Sequence, residues 1–117
     1  MDIEQLRTYC LQMKGTDEAF PFDETTLVFR VMGKIFAAIS LNNPWRVTLK
    51  CNADYAIELR DQYESIAGAW HWNKKYWNQI DFNGDVDDNL ILHLVDHSYN
   101  EVIKNFNRKL RLAYGRI

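Results

Sequence analysis

Three short apolar runs separated by tight turns are the feature that most limits how this chain can fold. The runs are Thr26–Met32, Ile35–Leu41 and Arg46–Cys51, and each is rich in β-branched or aromatic residues. Gly33-Lys34 and Asn42-Asn43-Pro44 lie between them and have the composition of hairpin turns. Strands joined this closely pair antiparallel, because a parallel pairing needs a crossover of about a dozen residues or more. The segment therefore predicts a three-stranded antiparallel meander.

Other runs are expected to extend this sheet. Ala19–Phe22 is short and aromatic, and Tyr76–Phe82 alternates in the manner of a half-buried strand. In regular register, Trp77 lies on the opposite face of that strand from Ile80. Ile66–Trp72 is ambiguous and supports no single assignment. At least five strands are therefore expected.

Helical periodicity is found in three places, at Ile3–Met13, at Ala53–Glu64 and from Leu90 onwards. Apolar residues recur there at three- and four-residue spacing. Asp2 and Asn52 precede the first two segments, and side chains of this type accept the free N–H groups at a helix start. Three helical regions are therefore expected.

The third helix is expected to begin at Asp85 or Asp87 and to be interrupted. Ser98 and Glu101 have the spacing of a capping box, in which the two side chains satisfy the free amides of a new helix. A break or kink is therefore expected near His97-Ser98. Together these elements predict that residues 1–117 form a single α+β domain with a mostly antiparallel sheet.

The chain has the features expected of a cytoplasmic protein. Its longest apolar run, Ile35–Ile39, is far below the roughly 20 residues that a membrane-spanning helix needs. Its first residues lack the pattern of a secretory signal. Cys10 and Cys51 form no Cys-x-x-Cys motif, and we expect them to be buried thiols in a reducing compartment. No membrane partner is expected.

Charge is distributed unevenly, although the formal net charge is only −2. Residues 1–65 hold seven Lys/Arg and ten Asp/Glu, whereas residues 66–117 hold seven and six. Residues 102–117 contain five cations and no acid, which indicates either a phosphate contact or the end of a helix. A weakly acidic protein is not built to coat nucleic acid, but a local group of cations can still contact phosphates.

Eight residues, His71–Asn78, combine two tryptophans, a tyrosine, two lysines and two asparagines without an acid. Lysines supply charge for phosphates, and aromatic rings stack on bases. The same mixture suits an amphipathic strand with Trp77 in the core and the lysines solvated, and we expect Trp77 to be a core residue. The candidate phosphate contacts at hairpin tips, loops and this segment are Lys34, Arg46, Lys74 and Lys75.

Two segments, Asn73–Asn78 and Asp96–Tyr99, resemble the two marks of the MmcQ/YjbR family of small bacterial proteins. The resemblance extends along essentially the whole chain and includes the run Phe20–Asp23. One difference is Tyr76, which stands where the family pattern has a histidine. The resemblance implies a CyaY/frataxin-like α+β sandwich, with helices packed on one face of an antiparallel sheet. It also implies DNA binding through hairpins arranged as a double wing.

The same resemblance assigns the motif residues. The candidate DNA contacts within the first motif are Asn73, Lys74, Lys75 and Asn78. The remaining motif residues, expected beside this patch, are Trp77, Asp96, Ser98 and Tyr99.

The expected function is non-enzymatic binding of double-stranded DNA, with a protein-interaction or adaptor domain as the alternative. The chain contains no nucleophile elbow and no phosphate loop, so no catalytic residue and no cofactor is expected. His93 and His97 have a spacing compatible with a metal, but no third ligand lies at a supporting interval, so no metal site is expected. The least favoured hypothesis, iron handling, would use the acids Asp2, Glu4, Asp17 and Glu18.

Overall fold

The predicted meander forms the centre of a six-stranded sheet in the computed structural model, which describes all residues 1–117. Every neighbouring pair of strands is antiparallel, and the strand order is β1-β2-β3-β4-β6-β5. The strands are β1 (Thr16–Ala19), β2 (Thr26–Val31), β3 (Lys34–Ser40), β4 (Arg46–Lys50), β5 (Ile66–Gly68) and β6 (Trp77–Asp81).

The prediction of a strand at Ala19–Phe22 is wrong, because the first strand ends at Ala19. The residues that follow form a turn, in which the Asp23 carboxylate accepts hydrogen bonds from the backbone N–H groups of Thr25 and Thr26. The Asp23 side chain thus accepts hydrogen bonds from backbone N–H groups that would pair with a neighbouring strand if this segment were a strand. The ambiguous stretch after residue 65 contains only the three-residue strand β5.

Four helices accompany the sheet: α1 (Ile3–Leu11), α2 (Ala53–Gln62), α3 (Asp88–Lys104) and α4 (Arg108–Gly115). The predicted caps Asp2 and Asn52 are confirmed, and of the alternatives Asp85 and Asp87 it is Asp87 that caps α3; each side chain accepts a backbone N–H of the first helical turn. Helix α4 was not expected, although Asn107 caps it in the same way. None of the four helices is both long and apolar enough to span a bilayer.

Helices cover one face of the sheet, as expected for the α+β sandwich, and the other face is open. Alternate residues of each strand, such as Phe29, Ile39 and Leu49, join one core with helix residues such as Ile91 and Val95. The intervening strand residues point to the open face. Both cysteines are free and buried, as predicted, and burial raises the pKa of each thiol to about 12.

Ser98 contradicts the predicted helix break, because α3 runs without interruption from Asp88 to Lys104. Its side chain is fully buried, and its hydroxyl donates to the backbone carbonyl of Phe36 and accepts from the N–H of Lys50 at 2.8 Å. Those two residues are the next pair in the β3–β4 register, whose direct partners are limited to two pairs. The serine hydroxyl therefore bridges two strands that have begun to separate.

We expect Ser98→Ala to lower the free energy of unfolding by about 2 kcal/mol, because a buried carbonyl and a buried N–H lose their partner. Urea unfolding followed by circular dichroism measures this change. Thr8→Ala, at an exposed position of α1, is the matched control and should change stability by no more than about 0.5 kcal/mol. Equal stability of the two variants would show that the bridge contributes nothing.

Candidate functional site

Three aromatic rings cross the open face of the sheet. Trp72, in the loop of residues 69–76, packs against Trp77 of β6 with ring centroids 4.6 Å apart. On its other side it meets the edge of Phe22, from the β1–β2 loop, at 6.2 Å. We call Phe22, Trp72 and Trp77 the aromatic bridge. It fixes two loops over a face that no helix covers.

The predictions for two neighbouring residues of β6, Trp77 as a core residue and Asn78 as a DNA contact, are wrong. Trp77 is not a core residue, since it lies half-buried on the open face. Asn78 is not a DNA contact, because its side chain is 2% exposed and its amide donates to the carbonyl of Ala56. The predicted alternation across the strand is confirmed, with Trp77 on the face opposite to Ile80.

Beneath the bridge lies a cavity of about 680 Å³, which we call the open-face cavity. Its floor is formed by strand residues with short polar side chains or an amide, namely Thr26, Ser40, Thr48 and Gln79. Its walls are formed by Phe22, Trp70, His71 and Trp72. The cavity thus combines flat apolar rings with hydrogen-bonding groups, which is the usual composition of a ligand site.

Arg46 lines this cavity but is not a free cation. Its Nε donates to Oδ1 of Asp81 on the adjacent strand at 3.1 Å. The two residues are register partners at the same end of β4 and β6. Lys34 starts β3 at the opposite end of the sheet. The structure therefore separates two of the predicted phosphate contacts by the length of a strand.

Four lysines gather at the other end of the strands, which we call the lysine end. Strand register places the β2–β3 turn, the end of β4 and the loop of residues 69–76 at this end. None of the four forms an ion pair with a carboxylate. They are Lys34, Lys50, Lys74 and Lys75.

The opposite end of the sheet carries acids. Backbone N–H groups of Thr25 and Thr26 lower the pKa of Asp23. The side chain and backbone of Ser65 lower the pKa of Asp85 in the same way. Both carboxylates therefore stay ionised to a lower pH than an ordinary aspartate. Although the net charge is small, lysines lie at one end of the strands and ionised aspartates at the other.

Aromatic rings accompany the lysines of the loop. The Nζ of Lys74 lies 4.3 Å from the centroid of the Trp70 ring, and that of Lys75 lies 5.4 Å from Tyr76. Asn73, a predicted DNA contact, accepts the N–H of Lys75 at 3.0 Å, so its carbonyl oxygen shapes the loop. Lysines and rings thus share one exposed segment.

The second motif joins elements of the fold instead of adding to this surface. Asp96 accepts a hydrogen bond from the hydroxyl of Tyr9 at 2.7 Å, which raises the pKa of Tyr9 to about 12. The Tyr99 hydroxyl donates to the carbonyl of Lys14 and lies 2.9 Å from the hydroxyl of Tyr114. These contacts fasten α3 to α1 and α4, while Ser98 fastens it to the sheet.

The acids of the iron hypothesis are largely engaged within the protein. Asp17 pairs with Arg30, and Glu18 pairs with Arg7, each with a closest distance of 2.7 Å. Hydrogen bonds from those guanidinium groups lower the pKa of both carboxyls. An acidic ridge for iron does not form from them.

Sequence comparison agrees with this architecture. A family model described as YjbR matches residues 11–101. The chain belongs to the YjbR family. It is 29% identical over 104 residues to the uncharacterized protein YjbR of Escherichia coli K12, with 88% of each chain covered. It is 25% identical over 107 residues to the uncharacterized protein YbdF of Escherichia coli O157:H7, covering 91% of this chain and 88% of that one.

Two solved structures have the same fold as this chain. The crystal structure of the Deinococcus radiodurans protein DR2400, with a DUF419 domain, superposes with a TM-score of 0.89 at 34% identity. That match covers 97% of this chain and 88% of the other. A Pseudomonas syringae protein has the same fold, with a TM-score of 0.72 at 23% identity over 86% of this chain and 98% of its own. Family membership fixes the fold, and function has to be argued from the site.

The floor of the open-face cavity is the part of this YjbR-family site that sequence reasoning missed. Alternation along the strands is the signal that could have found its polar residues, because they lie between the core residues of β2, β3, β4 and β6. The loops that turn an open face into a cavity gave no such signal, because their contacts join residues far apart in the chain.

His97 is held by the YjbR fold in a neutral form. Its Nε2 accepts the backbone N–H of Asn52 at 3.1 Å, and Tyr55 meets the ring edge-on. Burial lowers its pKa, with smaller contributions from Glu101, which raises it, and from His93. Of the two histidines, His97 is therefore bound to the backbone, whereas the ring of His93 is exposed.

We expect stability to fall as the pH is lowered from about 7.5 to 5.5, through the ordinary histidine pKa of about 6.5. A depressed pKa in the folded state means that the unfolded chain binds the proton first, so acid favours unfolding. Urea unfolding at the two pH values measures the difference. His97→Gln, which keeps an acceptor, should reduce this pH dependence, and His93→Gln should retain it. Identical pH dependence in both variants would contradict the assignment.

Proposed function

We propose that this protein binds DNA through the lysine end, as a non-enzymatic protein of the cytoplasm. The observation that carries the proposal is the gathering of four unpaired lysines from three separate segments at one end of the sheet. Cations placed in this way neutralise phosphates and release counterions. The proposal rests on charge and stacking alone and assigns no catalytic residue.

The spacing of the projecting segments suits a duplex. The turn that carries Lys34 leaves β3, and the loop that carries Lys74 and Lys75 joins β5 to β6, two to three strands away in the sheet. At about 4.8 Å per strand this is roughly 10–14 Å. The major groove of B-DNA is about 12 Å wide. This spacing supports contacts of the two segments with phosphates on either side of one groove, as in the double wing that we propose.

A second candidate function, that of a protein-interaction domain, has an observation of its own. Large apolar side chains are exposed at the acidic end, where Phe20, Leu41 and Trp45 are each more than 40% accessible to solvent. Exposed apolar groups near acids suit a partner with an apolar, basic surface. Absence of DNA binding at low salt would favour this second function.

We expect Lys74→Ala combined with Lys75→Ala to reduce the slope of log affinity against log salt by about two, because two phosphate contacts are lost. Fluorescence anisotropy of a labelled duplex, titrated at several salt concentrations, measures the slope.

Arg7→Ala combined with Arg30→Ala is the matched control. It removes the same charge from two cations that are already paired with Glu18 and Asp17. That slope should stay close to the wild-type value. No detectable binding of the wild type to duplex at low salt would refute the proposed function.

A further inference from the structure

The open-face cavity is not used by the phosphate contacts proposed above. It adjoins the lysine end, because the same loop supplies Trp70 and Trp72 to its wall and Lys74 and Lys75 to the exposed surface. At about 680 Å³ it lies within the range of about 300–1,000 Å³ typical of small-ligand sites. A strand bound at Lys74 and Lys75 would therefore border the cavity on its loop side, whereas Asp23 and Arg46 line it on the side of the acidic end.

The protein leaves two of the four hydrogen-bonding groups on the floor of the cavity without a partner. The Thr26 hydroxyl bonds to Asp23, and the Ser40 hydroxyl accepts the N–H of Asn42. The Thr48 hydroxyl and the Gln79 amide make no hydrogen bond within the protein, and both line the cavity. An amide presents a donor and an acceptor side by side, which is the pattern that pairs with the edge of a base.

The wall offers an exposed ring, and the Nζ of Lys74 lies over it at 4.3 Å from the centroid. Trp70 is 74% exposed, the most exposed large apolar side chain in the protein, and it too lines the cavity. Trp72 is held in place by the aromatic bridge. A planar ring that stacks on Trp70 beside this fixed wall would bury apolar surface, and stacking of a base on an aromatic side chain contributes about 1–3 kcal/mol.

The charge of the cavity selects for a neutral group. Its only arginine, Arg46, is paired with Asp81, and the Asp23 carboxylate at its rim is held ionised by the turn. A phosphate group would meet this carboxylate, and the positive charge of Arg46 is already offset by Asp81. The free cations lie outside, at Lys74 and Lys75. The arrangement suits a chain whose rings enter the cavity while its phosphates stay on the loop.

We infer that the open-face cavity receives an unstacked nucleobase from a single-stranded segment of nucleic acid. The base stacks on Trp70, its edge meets Gln79 and Thr48, and its flanking phosphates lie along Lys74 and Lys75. This inference rests on the proposed function and adds a preference to it. Unpaired bases are bound in addition to phosphates, so single-stranded DNA is preferred over duplex.

The test compares a labelled single-stranded 12-mer with an abasic 12-mer of the same length and charge. We expect the strand with bases to bind about tenfold more tightly, which corresponds to stacking of about one base. Trp70→Ala should lower affinity for the normal strand to the abasic level and leave abasic binding unchanged. Unchanged abasic binding also shows that the variant is folded.

Trp45→Ala is the matched control, since it removes an exposed tryptophan that does not line the cavity. It should preserve the preference for bases. Equal binding of normal and abasic strands by the wild type would overturn the inference while leaving DNA binding intact. Absence of duplex binding at low salt would instead refute the proposed function.

A competition arm identifies the source of the base. A deoxynucleoside monophosphate should displace the single strand only at concentrations far above that of the oligonucleotide, because its lone phosphate cannot reach several lysines at once. Displacement at equal concentration would overturn the assignment to a single strand and favour a free nucleotide.

Discussion

Ser98 joins the two central strands at the point where their direct pairing stops, and much of the molecule is arranged around that contact. Its hydroxyl satisfies one backbone group on β3 and one on β4, so the strands separate without leaving buried polar groups unpaired. The adjacent His97 accepts the N–H of Asn52, two residues beyond β4, and Asp96 and Tyr99 bind neighbouring elements. One turn of α3 therefore sets the position of the helix layer relative to the sheet.

Local rules predicted the elements of this fold well and their long-range contacts poorly. The meander and the caps Asp2, Asn52 and Asp87 depend on nearby residues, so the sequence contains the necessary information. The spacing of Ser98 and Glu101 is compatible both with a capping box and with the interior of a helix. The hydrogen bond from Ser98 to the carbonyl of Phe36 on β3 shows that the helix interior is correct. Helix α4 was missed because its basic residues fit both a phosphate contact and a helix end.

The candidate site shows the same division. Alternation along β6 correctly placed Trp77 and Asn78 on opposite faces, but it could not say which face the helices would cover. The size of Trp77 favours the core, but in the structure Trp77 lies on the open face, where Trp72 covers it. Contacts between distant loops, such as that of Phe22 with Trp72, create the cavity, and no local pattern records them.

The separation of lysines from acids along the strands gives the molecule a permanent electric dipole. In the field of a polyanion such a molecule is turned before contact, with its cationic pole leading and its anionic pole directed away. Productive encounters would become more frequent without a large net charge, and the rate of association would decline as added ions screen the field. A weakly acidic protein can in this way present its cationic end to a polyanion more often than its anionic end.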